Sequence, residues 1–291
     1  MTALRLGLAQ GLLPADPDDL TPDLAARIRG LGVSALLTHF GVPPAALRGP
    51  RGRRLAAVLR DENLKIGQYA GLRPTLVSQD GARRRQSVDA VGEFLRTASF
   101  LGAGMVVTGC GSHHPDHPYG PARENHSQQS RDLLVASLTE LAGRAADAGT
   151  VLAVEAHCLT TLDTPETVRL ILDEVDSPWV RVNFDPVNFL GSLPAVYDSG
   201  AAIRHAAEVL GPRLAPAAHV KDVVVQPDLV LHIAEAVPGE GLLDLAAMLE
   251  VCRQLLPQPA TLFVEHLGPD DAARAIAHVT RVAAGLGLEL G

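Results

Sequence analysis

Short apolar runs recur eight times along this chain, and longer stretches with helical character separate them. The runs are rich in valine, leucine and alanine and do not alternate with polar residues, which is typical of parallel strands covered on both faces. Eight strand–helix units without a long linker predict one α/β domain over residues 1–291, a single (β/α)8 TIM barrel. The predicted strands are Leu4–Gln10, Val33–His39, Leu64–Ala70, Met105–Cys110, Val151–Ala156, Val180–Asp185, Leu214–Val220 and Thr261–Glu265.

A doubly wound open sheet is the competing fold for alternating strands and helices. Such a sheet more often has fewer strands, and it commonly carries a glycine-rich phosphate loop after the first one. The segment Leu8–Leu12 lacks that glycine spacing. The length of 291 residues also suits a barrel, which typically takes about 250.

Charge and cysteine usage narrow the class of protein. The net charge of −8 disfavours general affinity for nucleic acid. The three cysteines, Cys110, Cys158 and Cys252, form no Cys-x-x-Cys pair and indicate a reducing cytoplasm. No apolar run has the length of a membrane helix, and Met1–Leu13 is interpreted as a first strand and not a signal peptide. We therefore expect a cytoplasmic protein without nucleic-acid or membrane partners.

Two long segments after predicted strands are expected to be irregular. Gly109–Ser127 is rich in histidine, and its His113, His114 and His117 are expected in solvent, with a substrate lid as the alternative. Val223–Gly241 is the second segment. Because both follow strands, both are expected on the face where barrels build active sites.

Four predicted strands in succession end in a side chain that binds metals. These residues are Glu155, Asp185, His219 and Glu265. Any one of these residues could simply mark the point where a strand leaves the core. Because the four lie at the ends of four consecutive strands of a barrel, however, they converge on one half of the rim. Carboxylates brought so close would repel each other unless a cation lay among them. Three oxygen donors and one nitrogen predict one divalent metal ion, Mn²⁺ first, with Mg²⁺, Co²⁺ or Zn²⁺ as alternatives.

The motifs around these positions resemble the xylose isomerase-like TIM barrels, and more narrowly the sugar phosphate isomerase/epimerase group. The resemblance rests on Val154–His157, Asn183–Asn188, His219–Asp222, Gly239–Gly241 and Glu265, and it covers most of the chain. It implies that the four strand-end residues are the metal ligands. It also implies an isomerase or epimerase of a sugar, keto-sugar or sugar phosphate, with Glu155 and Glu265 moving a proton through an enediolate.

Further residues are expected around the substrate. Lys221 and Asp222 are expected to bind a substrate hydroxyl or phosphate, or else to form an ion pair beside the metal. His157 lies two residues beyond Glu155, so it faces the same side of the strand and either contacts substrate or hydrogen-bonds a ligand. The remaining expected pocket residues are Asn188, His39, Gln10 and Glu240, the last with the duty of orienting His219.

Three positions depart from the patterns of relatives. Asn188 stands where many have a histidine, and Thr161 and Val225 replace a glutamate and an arginine of ketohexose epimerases. The identity of the substrate therefore stays open, as does the choice between a homodimer and a homotetramer.

A dehydratase of a keto-polyol, like inosose dehydratase, is the main alternative function. An endonuclease IV-like repair enzyme is less consistent with Asn188, Val230 and the net charge, and a non-catalytic sugar-binding barrel would not need both glutamates.

Overall fold

The computed structural model describes residues 4–9 and 12–291, apart from the side chain of Pro269. Gln10, the predicted end of the first strand, lies outside the described residues. The strands are β1 (Leu4–Ala9), β2 (Ala35–Thr38), β3 (Lys65–Tyr69), β4 (Met105–Gly109), β5 (Val151–Glu155), β6 (Val180–Phe184), β7 (Leu214–Val220), β8 (Asp222–Val225), β9 (Ile233–Ala236) and β10 (Ala260–Val264).

Eight of these strands close into a parallel barrel in the order β1-β10-β7-β6-β5-β4-β3-β2. All eight coincide with predicted runs, so the predicted (β/α)8 TIM barrel is confirmed. The observed strands end one residue earlier than predicted, except β7, because the last residue of a run turns out of the ladder into a loop. Several of those last residues carry the polar groups described below.

Helices surround the barrel and cover the outer faces of its strands. They are α1 (Pro22–Gly30), α2 (Pro50–Asp61), α3 (Gly81–Leu101), α4 (Gln128–Ala148), α5 (Pro165–Val175), α6 (Leu193–Tyr197), α7 (Ser199–Leu210), α8 (Leu245–Leu255) and α9 (Pro269–Gly285). The predicted start of α5 is confirmed, because the Thr164 hydroxyl accepts the N–H of Thr167 at 3.1 Å. No helix in the described part of the chain is long and apolar enough to cross a membrane.

One large aromatic ring lies in the barrel interior. Phe263 points inward from β10 and is fully buried. A Cβ on Gly7 would lie 2.5 Å from the Phe263 ring, and one on Gly67 would lie 2.8 Å from it. Any larger residue at either glycine would clash with the ring. The ring also meets the imidazole of His219 edge-on, with 6.3 Å between centroids, so Phe263 forms the floor of the candidate site.

The two long segments are more ordered than the sequence suggests. Within Val223–Gly241, β8 pairs antiparallel with β9 to form a hairpin, so the prediction of an irregular segment is wrong there. The hairpin lies outside the barrel ladder, and its strand residues other than Asp222 and Val223 are partly buried or exposed, which makes its sequence a weak strand signal. Within Gly109–Ser127, a short 3-10 helix spans Arg123–His126. His113 and His114 are half-buried there, contrary to the expected exposure, whereas His117 is exposed.

Candidate metal centre

The structure brings the four strand-end residues together at the carboxyl ends of neighbouring strands. Glu155 is the last residue of β5, and His219 lies near the end of β7. Asp185 and Glu265 directly follow β6 and β10. One ligand atom from each of the four lies within 4.8 Å of the others. The convergence follows from the barrel order, in which these strands are successive neighbours.

His219 presents its Nδ1 atom to the centre of this cluster. Nδ1 lies 3.1 Å from Oε1 of Glu155 and 3.1 Å from Oε1 of Glu265, and 3.8 Å from Asp185 Oδ2. The other ring nitrogen, Nε2, lies 2.9 Å from Oε1 of Gln68 on β3. A hydrogen bond from Nε2–H to Gln68 leaves Nδ1 as the ring atom that would bind a metal ion.

Gln68 is held in turn by Asn183 on β6. Its Nε2 donates to Asn183 Oδ1 at 2.7 Å, which turns Oε1 of Gln68 towards His219. Gln68 was not identified in the sequence analysis. It could have been, because Gln68 is a polar residue inside the apolar run Leu64–Ala70, and a buried polar residue needs a hydrogen-bond partner. The expected orienting residue, Glu240, is exposed and forms an ion pair with Arg274 at 3.1 Å. The prediction that Glu240 orients His219 is wrong.

Burial and close charges shift the pKa values in the cluster in opposite directions. Burial alone would lower the pKa of His219, but Glu265 and Glu155 outweigh it and raise that pKa to about 10. Burial raises the pKa of Asp185 to about 6, although Lys221 opposes the change. The pKa of Glu265 is lowered because His219 and Lys221 overcome its burial. The close carboxylates therefore favour positive charge within the cluster.

Lys221 and Asn188 lie against the same carboxylates. Lys221 Nζ is 2.8 Å from Asp185 Oδ2 and 2.8 Å from Glu265 Oε1, and its side chain is only 4% exposed. Asn188 donates through Nδ2 to Asp185 Oδ2 at 3.0 Å. The sequence left two roles for Lys221, a substrate contact or an ion pair beside the metal ligands, and the structure shows the ion pair. The amide of Asn188 thereby holds the Asp185 carboxylate in place.

The residues present fit a divalent cation. Asp185 Oδ1 is buried and has no hydrogen-bond partner among the described residues, so it needs one. Three carboxylates and one imidazole form a hard, mainly oxygen donor set of the kind that suits Mg²⁺ or Mn²⁺. Glu155, Asp185, His219 and Glu265 are the residues that would hold the ion.

Asp222 has a different place from the one expected. Its carboxylate accepts the backbone N–H groups of Val223, Gly239, Gly241 and Leu243 at 2.8–3.0 Å. Both oxygens are thus engaged by the loop that follows β9, and the residue is 3% exposed. The expected substrate contact or ion pair with Lys221 is therefore not what the structure shows. Asp222 fixes the Gly239–Gly241 turn.

A cavity of about 190 Å³ opens above the cluster. Glu155, His219 and Glu265 line it, whereas the fully buried Asp185 does not. His39 lines the same cavity, as expected from the end of the second predicted strand. His157 lines a neighbouring cavity that it shares with Asn188, and its Nδ1 accepts the N–H of Leu159 at 3.2 Å. Its hydrogen bonds in the described structure include none to the four cluster residues.

Other residues of the cavity escaped the sequence analysis. Tyr119 and His266 line it, and burial, with the nearby charge of Glu155 adding to it, raises the pKa of the Tyr119 hydroxyl. Glu235 of β9 accepts a hydrogen bond from His266 at 2.9 Å and lies 3.8 Å from Lys221. These residues come from loops and from the hairpin, and their approach to the cluster is set by tertiary folding, which leaves no periodic signal.

The xylose isomerase-like TIM barrel profile matches residues 26–281. The chain belongs to the xylose isomerase-like TIM barrel family. The resemblance stated from the motifs is therefore confirmed, for the family and for the fold. The search of curated proteins gives no match.

Solved structures with this fold cover almost the whole chain. The 3-keto-D-glucoside 4-epimerase of E. coli is 16% identical, covers 97% of this chain and 100% of its own, and has a TM-score of 0.70. A xylose isomerase-like TIM barrel protein of Mycobacterium smegmatis in complex with magnesium is 19% identical, with 97% of each chain covered and a TM-score of 0.72. The probable 3-DHS dehydratase of Bacillus anthracis is 17% identical, with 96% and 98% covered and a TM-score of 0.70. At these identities the likeness shows the shared fold.

Proposed function

We propose that this family member is a divalent-metal-dependent isomerase or epimerase of a keto-sugar, in which Glu155 and Glu265 transfer a proton. One observation carries the proposal. Of the three clustered carboxylates, only Glu155 and Glu265 line the cavity, and both lie 3.1 Å from His219 Nδ1. Asp185 stays buried behind them. Two carboxylates facing one cavity suit the removal of a proton from a substrate and its return elsewhere.

The strand order gives the two glutamates separate approaches to a substrate. Glu155 extends from β5 and Glu265 from the end of β10, with β6 and β7 between them. One carboxylate removes the proton from the carbon beside a carbonyl. The other returns a proton to the opposite face of that carbon, which epimerises it, or to the neighbouring carbon, which isomerises the sugar. A divalent cation in this donor set would supply polarisation of the carbonyl, which acidifies the adjacent C–H.

The surrounding residues support that transfer without taking part in it. Gln68 keeps the ring of His219 in place, and Lys221 offsets part of the carboxylate charge at 2.8 Å from Glu265. The partner proposed is a small carbohydrate, since the net charge of −8 is unfavourable for nucleic acid. Mn²⁺ is the ion proposed first, on the chemistry of the donor set. The epimerase among the similar structures supports the reaction class.

Solvent deuterium exchange tests the proposal. With Mn²⁺ present, wild-type protein should exchange the C–H beside the carbonyl of at least one member of a ketose panel in D₂O. Glu155→Gln and Glu265→Gln should each slow exchange by at least about 100-fold, the usual contribution of a positioned acid–base group. Glu235→Gln is the matched control, because Glu235 lies beside the cluster and outside it. Unchanged exchange in both glutamate variants would overturn the assignment.

A dehydratase of a keto-polyol is the second candidate, favoured by His157. Because Nδ1 of His157 accepts the Leu159 N–H, its proton lies on Nε2, in a cavity that also contains Asn188. A donor there suits a reaction that begins with the same proton removal and then expels a hydroxyl. Mass spectrometry of the product separates the candidates: an epimer keeps the substrate mass, and a dehydration product has lost water. His157→Phe should abolish dehydration only if the second candidate is right.

A further inference from the structure

A second cavity, of about 250 Å³, lies beside the metal cavity on the side of β3 and β4. Residues 73–83 and 112–118 form its walls. Arg73 lines both cavities, and Tyr119, the next residue after the second wall, lines the metal cavity. The two cavities are therefore neighbours that share Arg73 as a lining residue.

The lining of this second cavity is basic. Arg73 and Arg83 both face it, and among the described residues neither forms an ion pair. Asp116 is the single carboxylate among the lining residues, and it too forms no ion pair in the described part of the chain. The cavity thus places two guanidinium groups without ion-pair partners among the described residues on one concave surface. Guanidinium groups bind phosphate and carboxylate well, because their N–H groups match the two oxygens.

Two histidines of the cavity add neutral donors. His114 Nδ1 accepts the N–H of Asp116 at 3.2 Å, and His117 Nδ1 accepts the N–H of Tyr119 at 3.2 Å. In each ring the acceptor nitrogen carries no proton, so Nε2 carries it and is a hydrogen-bond donor. Both histidines line the same cavity as the arginines.

The walls are fixed before any ligand arrives. Ser112 donates to the Gly120 carbonyl at 2.6 Å, and the buried Asn125 donates to Ser112 and to the Leu159 carbonyl. The two walls also contact each other directly. A Cβ on Gly111, whose φ is +81°, would lie 2.3 Å from the carbonyl oxygen of Pro74, so only glycine fits between them. A preformed cavity loses little entropy when it binds a ligand.

We propose that this cavity binds the anionic group, a phosphate ester or a carboxylate, of the substrate whose keto-polyol part reaches the metal centre. The assignment of the anion site rests on the cavity alone, and its link to catalysis rests on the proposed function. The substrate class is then an anionic keto-sugar. The histidine-rich segment is a fixed wall of its binding site.

Calorimetric titration of the full chain with inorganic phosphate tests the anion site without catalysis. Wild-type protein should bind phosphate with at least millimolar affinity, and Arg83→Gln should weaken it tenfold or more, because a charge-assisted pair is lost. Arg85→Gln is the matched control, since Arg85 is exposed on the same helix and does not line the cavity. It should change the affinity less than twofold. No phosphate binding, or equal loss in both variants, would overturn the proposal.

Deuterium exchange on paired substrates tests the link to catalysis. A ketose phosphate or a keto-sugar acid should have a kcat/KM at least tenfold above that of the neutral ketose, and Arg83→Gln should remove the preference. If the ketose phosphate has the higher kcat/KM, the bound group is a phosphate ester; if the keto-sugar acid has it, the bound group is a carboxylate. Exchange of neutral ketoses with no preference for either anion would overturn this proposal and leave the proposed function standing. Phosphate binding that depends on Arg83, without exchange of any ketose, would sustain the anion site and overturn the proposed function.

Discussion

The two halves of the barrel rim hold their charges in opposite ways. Beyond β5, β6, β7 and β10, carboxylates are buried against one another, and their positive partners are buried with them: Asp185 is 1% exposed and Lys221 4%. Beyond β3 and β4, Arg73 and Arg83 are exposed and unpaired among the described residues. Charge in the first half is costly and must be neutralised inside the fold, whereas charge in the second is solvated. The first half is thus a cluster that could hold a cation, and the second leaves its charges in contact with solvent.

Removing the buried ammonium group should have the largest effect on this contrast. Lys221→Met keeps the side-chain length and leaves Asp185 and Glu265 without their close cation. In metal-free buffer we expect a loss of about 3 kcal/mol in the free energy of unfolding, as for other broken buried pairs. Saturating Mn²⁺ should recover much of it, because the metal supplies the missing charge. Urea unfolding with and without Mn²⁺ measures both.

Arg73→Met is the matched change in the basic half. It should alter the free energy of unfolding by no more than about 0.5 kcal/mol, as is usual for a surface substitution. Equal losses in the two variants would show that the two halves do not differ in the way described.

Removing Gln68, the hydrogen-bond partner of His219, should have the next largest effect. Gln68→Leu removes the acceptor that faces His219 Nε2 at 2.9 Å. We expect Mn²⁺ affinity to fall about 10- to 100-fold, the usual cost of losing a residue that orients a ligand. Glu240→Gln, at the exposed glutamate first expected to have this duty, should leave the affinity unchanged. Calorimetric titration with Mn²⁺ compares the two variants. A larger loss of affinity in Glu240→Gln than in Gln68→Leu would show that Glu240 orients His219 after all.

Ionic strength should have the smallest effect and should act mainly on one half. Phosphate binding at the exposed arginines should weaken severalfold as salt rises from about 0.05 to about 0.2 M, because exposed charges are screened. Mn²⁺ binding at the buried carboxylates should weaken less over the same range. Equal salt dependence for the two ligands would argue against the difference in burial.

The sequence predicts the acidic half well for a physical reason. A charged residue at the end of a buried apolar run has few explanations, and Glu155, Asp185 and Glu265 each stand at such an end. Because parallel strands in a barrel end on the same rim, knowing the fold is enough to bring those residues together. Fold and cluster thus follow from one pattern.

The basic half and the supporting residues could not be predicted in this way. Arg73 and Arg83 lie on exposed loop and helix positions, where arginine is ordinary. Glu240 belongs to the Gly239–Gly241 motif, and the sequence predicted that it orients His219. In the structure it pairs with Arg274, and Gln68 contacts His219 instead. The hairpin of β8 and β9 carries Glu235 towards Lys221 over a distance that no sequence spacing encodes. Contacts between elements decide these positions.

Metal content and metal-dependent stability of wild type and Asp185→Asn test the central claim most directly. Asp185 is a carboxylate of the cluster whose buried Oδ1 lacks a hydrogen-bond partner among the described residues, and asparagine preserves its shape while removing its charge. Wild type should hold one Mn²⁺ per chain and gain about 2.7 kcal/mol in stability at a free concentration 100 times the Kd. Asp185→Asn should lose most of that gain, and the exposed control Asp147→Asn should keep it. No bound metal in wild type, or equal binding by Asp185→Asn, would contradict the claim.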